Sequence, residues 1–221
     1  GYAAALSRLA RLGYTGRIFL FGHSLGGVIA PLVATDTVAG VMVYGTVSRS
    51  WFDYMMENFR RQDVLAGLDA RAIAERQALR AEFQQGLLFA GETPSALAAR
   101  IQGVEDLPDV QLADTDHYYG RSVSFFVQLA AVNPERAWRQ VWQPVLALHG
   151  EYDWVSARED HERIARLTGG KFETLPGLDH GFLRYDDLME SFRARGTGVF
   201  APSVVDATVA WMETLSAKPD G

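Results

Sequence analysis

The chain contains no cysteine. Disulfides, thiolate nucleophiles and cysteine-ligated metals are therefore excluded, while the compartment, cytoplasmic or secreted, stays open. Lysine is nearly absent: Lys171 and Lys218 stand alone, and arginine carries the remaining positive charge. We read that bias as a codon effect rather than a function. The basic residues form no cluster and the formal net charge is −6, which argues against a nucleic-acid partner. No apolar run is long enough to span a bilayer. No stretch reads as a signal peptide, and no internal repeat is evident. The sequence opens Gly1-Tyr2-Ala3 without methionine, so an upstream segment is expected.

What is present is a core. The 221 residues are 48% hydrophobic, with 12 Phe and 5 Trp, enough for one folded domain plus an insertion. The organising stretch is Gly22-His23-Ser24-Leu25-Gly26. An apolar run, Ile18 to Phe21, precedes it and reads as a buried parallel strand. Val28-Ile29-Ala30 follows and reads as a helix, with Pro31 expected to kink it early. A Gly-x-Ser-x-Gly between strand and helix is a nucleophile elbow. The turn holds the serine in a strained conformation, so Gly22 and Gly26 are both expected to be small for steric reasons. A dinucleotide fingerprint would need glycine at Ser24, and a phosphate loop would need a Gly-Lys-Ser/Thr ending that is absent.

Further along, residues 2–12 read as a helix stopped by Gly13, and Gly40 to Gly45 as a second buried strand. From about Ser48 to Gln143 the signals turn helical. Asp69 can cap a helix running through Arg80, and Thr93-Pro94 and Asn133-Pro134 each place a capping residue before a first-turn proline. Trp51, Phe52, Met55 and Phe59 recur at helical spacing and read as a small core. Gly103 to Asp116 carries Glu105, Asp106, Asp109, Asp114 and Asp116, and reads as a solvated acidic loop rather than a cation site. Strand signals return at Val145–His149 and, more weakly, at Phe172–Leu175, which is expected near a sheet edge. Ser156 to Glu159 reads as a capping box opening a helix that stops at Gly169-Gly170, and Ser203 begins a last helix.

A serine hydroxyl is a poor nucleophile at neutral pH; it needs a base, and the base needs an orienting carboxylate. Asp153 stands just past the Val145–His149 strand, and His180 just past Phe172–Leu175. His23 lies inside the elbow, His149 ends a strand, His161 reads as a surface-helix residue, and His117 lies in the insertion. Glu151 is too close to its strand to serve as the acid, and Asp179 adjoins the histidine whose far nitrogen it would have to face. The ordered set Ser24, Asp153, His180 at three strand ends is the candidate triad.

These features resemble the α/β-hydrolase superfamily, in the serine hydrolases with a helical cap. Gly22 to Gly27, the Gly150–Asp153 turn and Asp179-His180-Gly181-Phe182 carry the resemblance, which covers the C-terminal portion of such a fold. It implies an α/β fold with a mainly parallel sheet. Core segments would span 1–47 and 144–221, and an inserted helical cap 48–143. It implies that Ser24 attacks an ester, thioester or amide carbonyl and forms an acyl-enzyme. His180 would act as base, Asp153 as its orienting carboxylate, and the Leu25 amide as an oxyanion donor. His23, Trp51, Tyr54, His117, Tyr118, Tyr119 and Phe126 are candidates to line the substrate site. No metal and no cofactor are implied. The expected partner is a small acyl substrate or short peptide.

Two readings compete: a serine peptidase restricted to short peptides, and a non-catalytic binding domain of the same fold. A dehalogenase or epoxide hydrolase is disfavoured, because those relatives carry aspartate at the position of Ser24. The family's sheet has strands before the elbow strand, one of whose loops donates a second oxyanion amide. Only residues 1–17 precede it here. Losing one such donor costs on the order of a hundredfold in rate. We therefore expect either the missing N-terminal half of the fold or a second copy to pair along the Ile18–Phe21 edge.

Overall fold

The computed structural model describes residues 2–110 and 117–216. Along the chain come α1 (Tyr2–Arg11), β1 (Ile18–His23), α2 (Leu25–Val33) and β2 (Val38–Tyr44). Then follow α3 (Trp51–Leu65), α4 (Ala70–Gln85), a π-helical turn at Gly86–Ala90, α5 (Pro94–Arg100) and a 3₁₀ turn at Val104–Asp106. A short ribbon, β3 (His117–Tyr118) with β4 (Arg121–Ser122), leads to α6 (Val123–Ala130) and α7 (Pro134–Arg139). The remainder is β5 (Val145–Gly150), α8 (Arg158–Thr168), β6 (Lys171–Leu175), β7 (Leu183–Arg184), α9 (Leu188–Ala194), β8 (Val199–Phe200) and α10 (Ser203–Ser216). The chain divides into two compact units, residues 1–48 with 134–221, and residues 49–133.

The first unit is built on a four-stranded sheet in the order β1-β2-β5-β6, every pair parallel. Alternation along β2 shows why its apolar run is unbroken. Val41 and Val43 face one core with Val145, Ala147, Ile164 and Trp138, while Met42 and Tyr44 face another with Leu146, Leu148, Leu178 and Trp211. Both faces are covered by helices, so neither parity of side chain is free to be polar. β2 begins two residues before the expected Gly40, at Val38. Among the described residues, β6 and β1 are the edge strands of this sheet. Pro31 falls in the last turn of α2 rather than early, and the helix ends two residues later at Val33. A proline there spares the first-turn amides beside Ser24.

The described residues of the second unit are mainly helical, with the one short ribbon. Met55 and Phe59, one turn apart on α3, are buried, as are Phe83, Leu87, Leu97, Tyr118 and Phe126. Asp69 and Thr93 cap α4 and α5 by accepting from the amides of Ala72 and Ala96. The acidic-loop reading fails at Asp109. That residue is buried, and its carboxylate takes a bidentate pair of hydrogen bonds from the guanidinium of Arg80, which is itself fully buried. Arg80 also donates to Asp63, which Arg76 shares. A buried guanidinium is tolerable only with such partners, so Asp109 is held in the interior of this unit. Asp114 and Asp116 lie outside the described residues.

Candidate active site

Three strand ends of the first unit carry the candidate site. At the end of β1, Ser24 has φ 52° and ψ −123°. A non-glycine residue there stores strain on the order of 1–3 kcal/mol. The turn is fixed by the Ser24 amide donating to Tyr44 O at 3.0 Å and the Gly27 amide donating to Ser24 O at 2.9 Å. Gly22 is small by necessity: a Cβ on it would lie 2.7 Å from Gly26 O. Gly26 differs from expectation, since a Cβ added there meets nothing. It borders a shallow groove with Leu20, Phe21 and Ile29. The steric demand falls instead on Gly27, whose Cβ would collide with Thr46. Leu25 is the first residue of α2, so its amide is one of the donors that a helix start leaves without an intrahelical acceptor.

At the end of β5, Asp153 is buried. One carboxylate oxygen accepts from the amides of Val155 and Ser156, each at 2.8 Å. The other accepts from Ser156 Oγ at 2.6 Å and from His180 Nδ1 at 3.0 Å. Ser156 donates to Asp153 and does not stand at the capping position of the following helix. The N-cap of α8 is Ala157, which makes no side-chain cap bond. A nitrogen facing a carboxylate carries the proton, which leaves His180 Nε2 with the lone pair that a base requires. Burial would raise the Asp153 pKa, but the charge and hydrogen bond of His180, with the Ser156 hydroxyl, hold it well below the usual carboxylate range. Burial would lower that of His180, but the charge and hydrogen bond of Asp153, helped by Asp179, raise it above its ordinary value.

At the end of β6, the His180 loop is braced from within. Asp179 Oδ1 accepts from the amides of Gly181 at 2.7 Å and Leu183 at 2.9 Å. Asp179 shapes the loop, and its carboxylate is occupied there. The Tyr152 amide donates to Leu178 O, tying the Asp153 loop to the His180 loop. Glu151 accepts from the Gly177 amide. Gly45, directly after β2, lies beneath the pair: a Cβ there would be 2.8 Å from His180 Nδ1 and 3.2 Å from Asp153 Oδ2. Tyr44, whose carbonyl holds the Ser24 amide, is its neighbour in sequence.

His161 plays a structural part. His161 is fully buried, contrary to the surface-helix reading. Its Nε2 accepts from the Thr46 amide at 3.0 Å and its Nδ1 faces Ala157 O at 2.9 Å. Burial first, then the nearby His149, pushes its pKa down to about 4. Ser48 donates twice to Asp160, so the segment after β2 is fastened to the start of α8. Among the described residues, no group of three or more His, Asp or Glu side chains could hold a metal ion.

A family model described as the Alpha/beta hydrolase family matches residues 1–195. The chain belongs to the alpha/beta hydrolase family. No protein with a curated description matches this hydrolase. Among solved structures, it is similar to Est1E from Butyrivibrio proteoclasticus, at 19% identity and a TM-score of 0.53, over 97% of this chain and 68% of that one. It is similar to VinJ at 15% identity and a TM-score of 0.52, over 96% of this chain and 71% of the other. A thermophilic esterase from Thermogutta terrifontis matches at 20% identity and a TM-score of 0.49, over 95% and 69%. Likeness at these identities concerns the fold.

The residues expected to line a substrate site fall in different places in this hydrolase. His23 lies against His180, with ring centroids 4.9 Å apart. The rest belong to the second unit. Trp51 and Tyr54 meet on α3 with ring centroids 4.9 Å apart, tilted by 51°. His117 and Tyr118 form the ribbon strand. Tyr118 is engaged by Gln84, Asp109 O and the Phe126 ring, inside that unit. Tyr119, at φ 48°, is exposed. Sequence reasoning missed Ser156 and Gly45. The Asp-x-x-Ser spacing after a strand end was a usable signal for Ser156; Gly45 had none beyond its place at a strand terminus. Among the described residues no helix is long and apolar enough to cross a membrane.

Proposed function

We propose that this alpha/beta hydrolase is a serine hydrolase that cleaves a carboxylic ester, thioester or amide. The observation that carries the reading is the pairing of half-buried His180 with buried Asp153, 3.0 Å apart, over Gly45 and joined through His23 to the strained Ser24 turn. Ser24 Oγ attacks the substrate carbonyl carbon while its proton passes to His180 Nε2. The oxygen that becomes negative meets the Leu25 amide at the start of α2. The tetrahedral centre collapses, the bond to the leaving group breaks, and His180 returns the proton to that group. Water then attacks the acyl-enzyme, gives a proton to His180, and releases the acid with Ser24 restored. Asp153 remains ionised throughout and stabilises the imidazolium.

Est1E has been solved with ferulic acid bound. We read an acyl compound as the substrate class here too, with ester hydrolysis ahead of peptide hydrolysis. The test is labelling with a fluorophosphonate, followed by peptide mapping. Wild-type protein should be phosphonylated at Ser24, and Ser24→Ala should take no label while melting at nearly the same temperature. Labelling elsewhere, or none in folded wild-type protein, overturns the reading.

A further inference from the structure

The ends of β1 and β2 each send one side chain to the loop that carries His180. Tyr44 donates its hydroxyl proton to the Asp179 carbonyl at 2.5 Å, and His23 Nε2 lies 2.8 Å from the His180 carbonyl. A carbonyl only accepts, so His23 Nε2 carries the proton and donates it. Two successive carbonyls of the base loop are therefore hung from two adjacent strands. The loop needs such a hold, because it passes through Phe182 at φ 64°. His23 directly precedes Ser24, so one side chain joins the nucleophile's turn to the base's backbone. Its ring is packed against Phe182 at 4.5 Å and Tyr44 at 6.1 Å, which fixes the direction of the donor.

We propose that His23 is a positioning residue: by donating from Nε2 to the His180 carbonyl, it sets where the base stands relative to Ser24. The proposal rests on the serine-hydrolase reading above. Its electrostatics are consistent with that role. The titratable groups facing His23 are the His180 ring, the Asp153 and Asp179 carboxylates, and the Tyr44 phenol. Burial, then the His180 charge, lowers the His23 pKa, against the carbonyl hydrogen bond and the two carboxylates. His23 is thus neutral when His180 takes up the serine proton, and two like charges do not face each other across 4.9 Å.

The side-chain nitrogen of glutamine is as many bonds from Cα as Nε2 of histidine, so His23→Gln keeps a donor and loses the titration. His23→Phe keeps a ring and loses the donor; His23→Met does the same with a flexible chain, should the phenyl ring prevent folding. The experiment uses the full chain. It measures the second-order rate of Ser24 phosphonylation by a small fluorophosphonate, together with the low-field proton resonance of His180 Nδ1–H. We expect His23→Phe to react tenfold or more slowly, with that resonance broadened or lost, and His23→Gln to stay within threefold of wild type. A global loss of stability without a positioning role would lower the melting temperature but leave the resonance and the rate well below melting unchanged. Wild-type rates for His23→Phe with the resonance intact overturn the proposal. So does a His23→Gln rate as low as that of His23→Phe. If wild-type protein takes no label, the hydrolase reading fails and this proposal with it. If wild type is labelled and the variants are unaffected, only the role of His23 fails.

Discussion

Gly45→Ala tests the proposed site without touching Ser24, Asp153 or His180. Gly45 has φ 61°, where an L side chain costs roughly 1–2 kcal/mol. The new methyl would stand 2.8 Å from His180 Nδ1, 2.9 Å from His180 Cε1 and 3.2 Å from Asp153 Oδ2. Ordinary contact needs about 3.4 Å or more, so the imidazole must retreat by roughly half an ångström. The His180–Asp153 hydrogen bond, now 3.0 Å, would lengthen to a separation at which little of it survives. A misplacement of about 1 Å in a catalytic group can cost on the order of a hundredfold. We expect the Ser24 phosphonylation rate to fall about 10- to 100-fold. The backbone strain should lower the melting temperature by about 2–8 °C, at roughly 2–4 °C per kcal/mol for a chain of this size. The assay is the time course of labelling at several reagent concentrations, alongside a thermal melt. A Gly45→Ala protein that labels within twofold of wild type would show that His180 and Asp153 do not stand over Gly45 as described.

Four other expectations follow from the same geometry. Phosphonylation requires neutral His180, whose pKa is raised, so the rate should fall as pH drops, with its midpoint above 6.5; a midpoint below 6.5 contradicts the pairing with Asp153. Asp153→Asn should reduce the rate by about 10³- to 10⁴-fold with the fold retained, and a loss of less than tenfold would remove Asp153 from the orienting role. His161 is buried neutral with its pKa near 4 against 6.5 unfolded, so the unfolded chain binds more protons in that window and stability falls as pH drops through it, by about 3 kcal/mol at most; an imidazole NMR titration of His161 centred near 6.5 contradicts this. β1 pairs only with β2 among the described residues, and Phe21 opens onto an apolar groove of about 240 Å³ with Phe182 and Phe200, so the isolated 221-residue chain should self-associate, whereas a stable 24.4 kDa monomer by light scattering refutes it.

The parts of the molecule that were legible in sequence are those whose causes are local. Gly22-His23-Ser24-Leu25-Gly26 specifies a turn within a few residues, and its steric reason is recovered at Gly22, 2.7 Å from the carbonyl of Gly26. The strand ends that bring Asp153 and His180 within 3.0 Å of each other lie where apolar runs end. Alternation was no help along β2, because both of its faces are buried; the run itself was the signal.

What stayed hidden depends on partners far away in the chain. His161 lies on a helix whose remaining residues are mostly polar, and a surface position is the natural inference. Its burial becomes reasonable only through the Thr46 amide, 115 residues earlier, which supplies the donor its Nε2 needs. Asp109 read as one carboxylate among several in a loop, until Arg80, 29 residues before it, made it the counter-charge of a buried cation. Ser156 shows a third case, in which a one-residue shift removes the expected role. The Glu159 spacing suggests a capping box, but α8 starts at Arg158, so the capping position falls on Ala157, which has no side-chain oxygen to offer. Ser156 stands one residue too early, three residues from Asp153, and donates its proton there. A buried carboxylate must be satisfied or give up its charge, and the Ser156 hydroxyl helps to satisfy it. The same demand explains why the second unit's interior keeps Arg80, Asp63 and Asp109 together: once one charge is buried, its partners have to be buried with it.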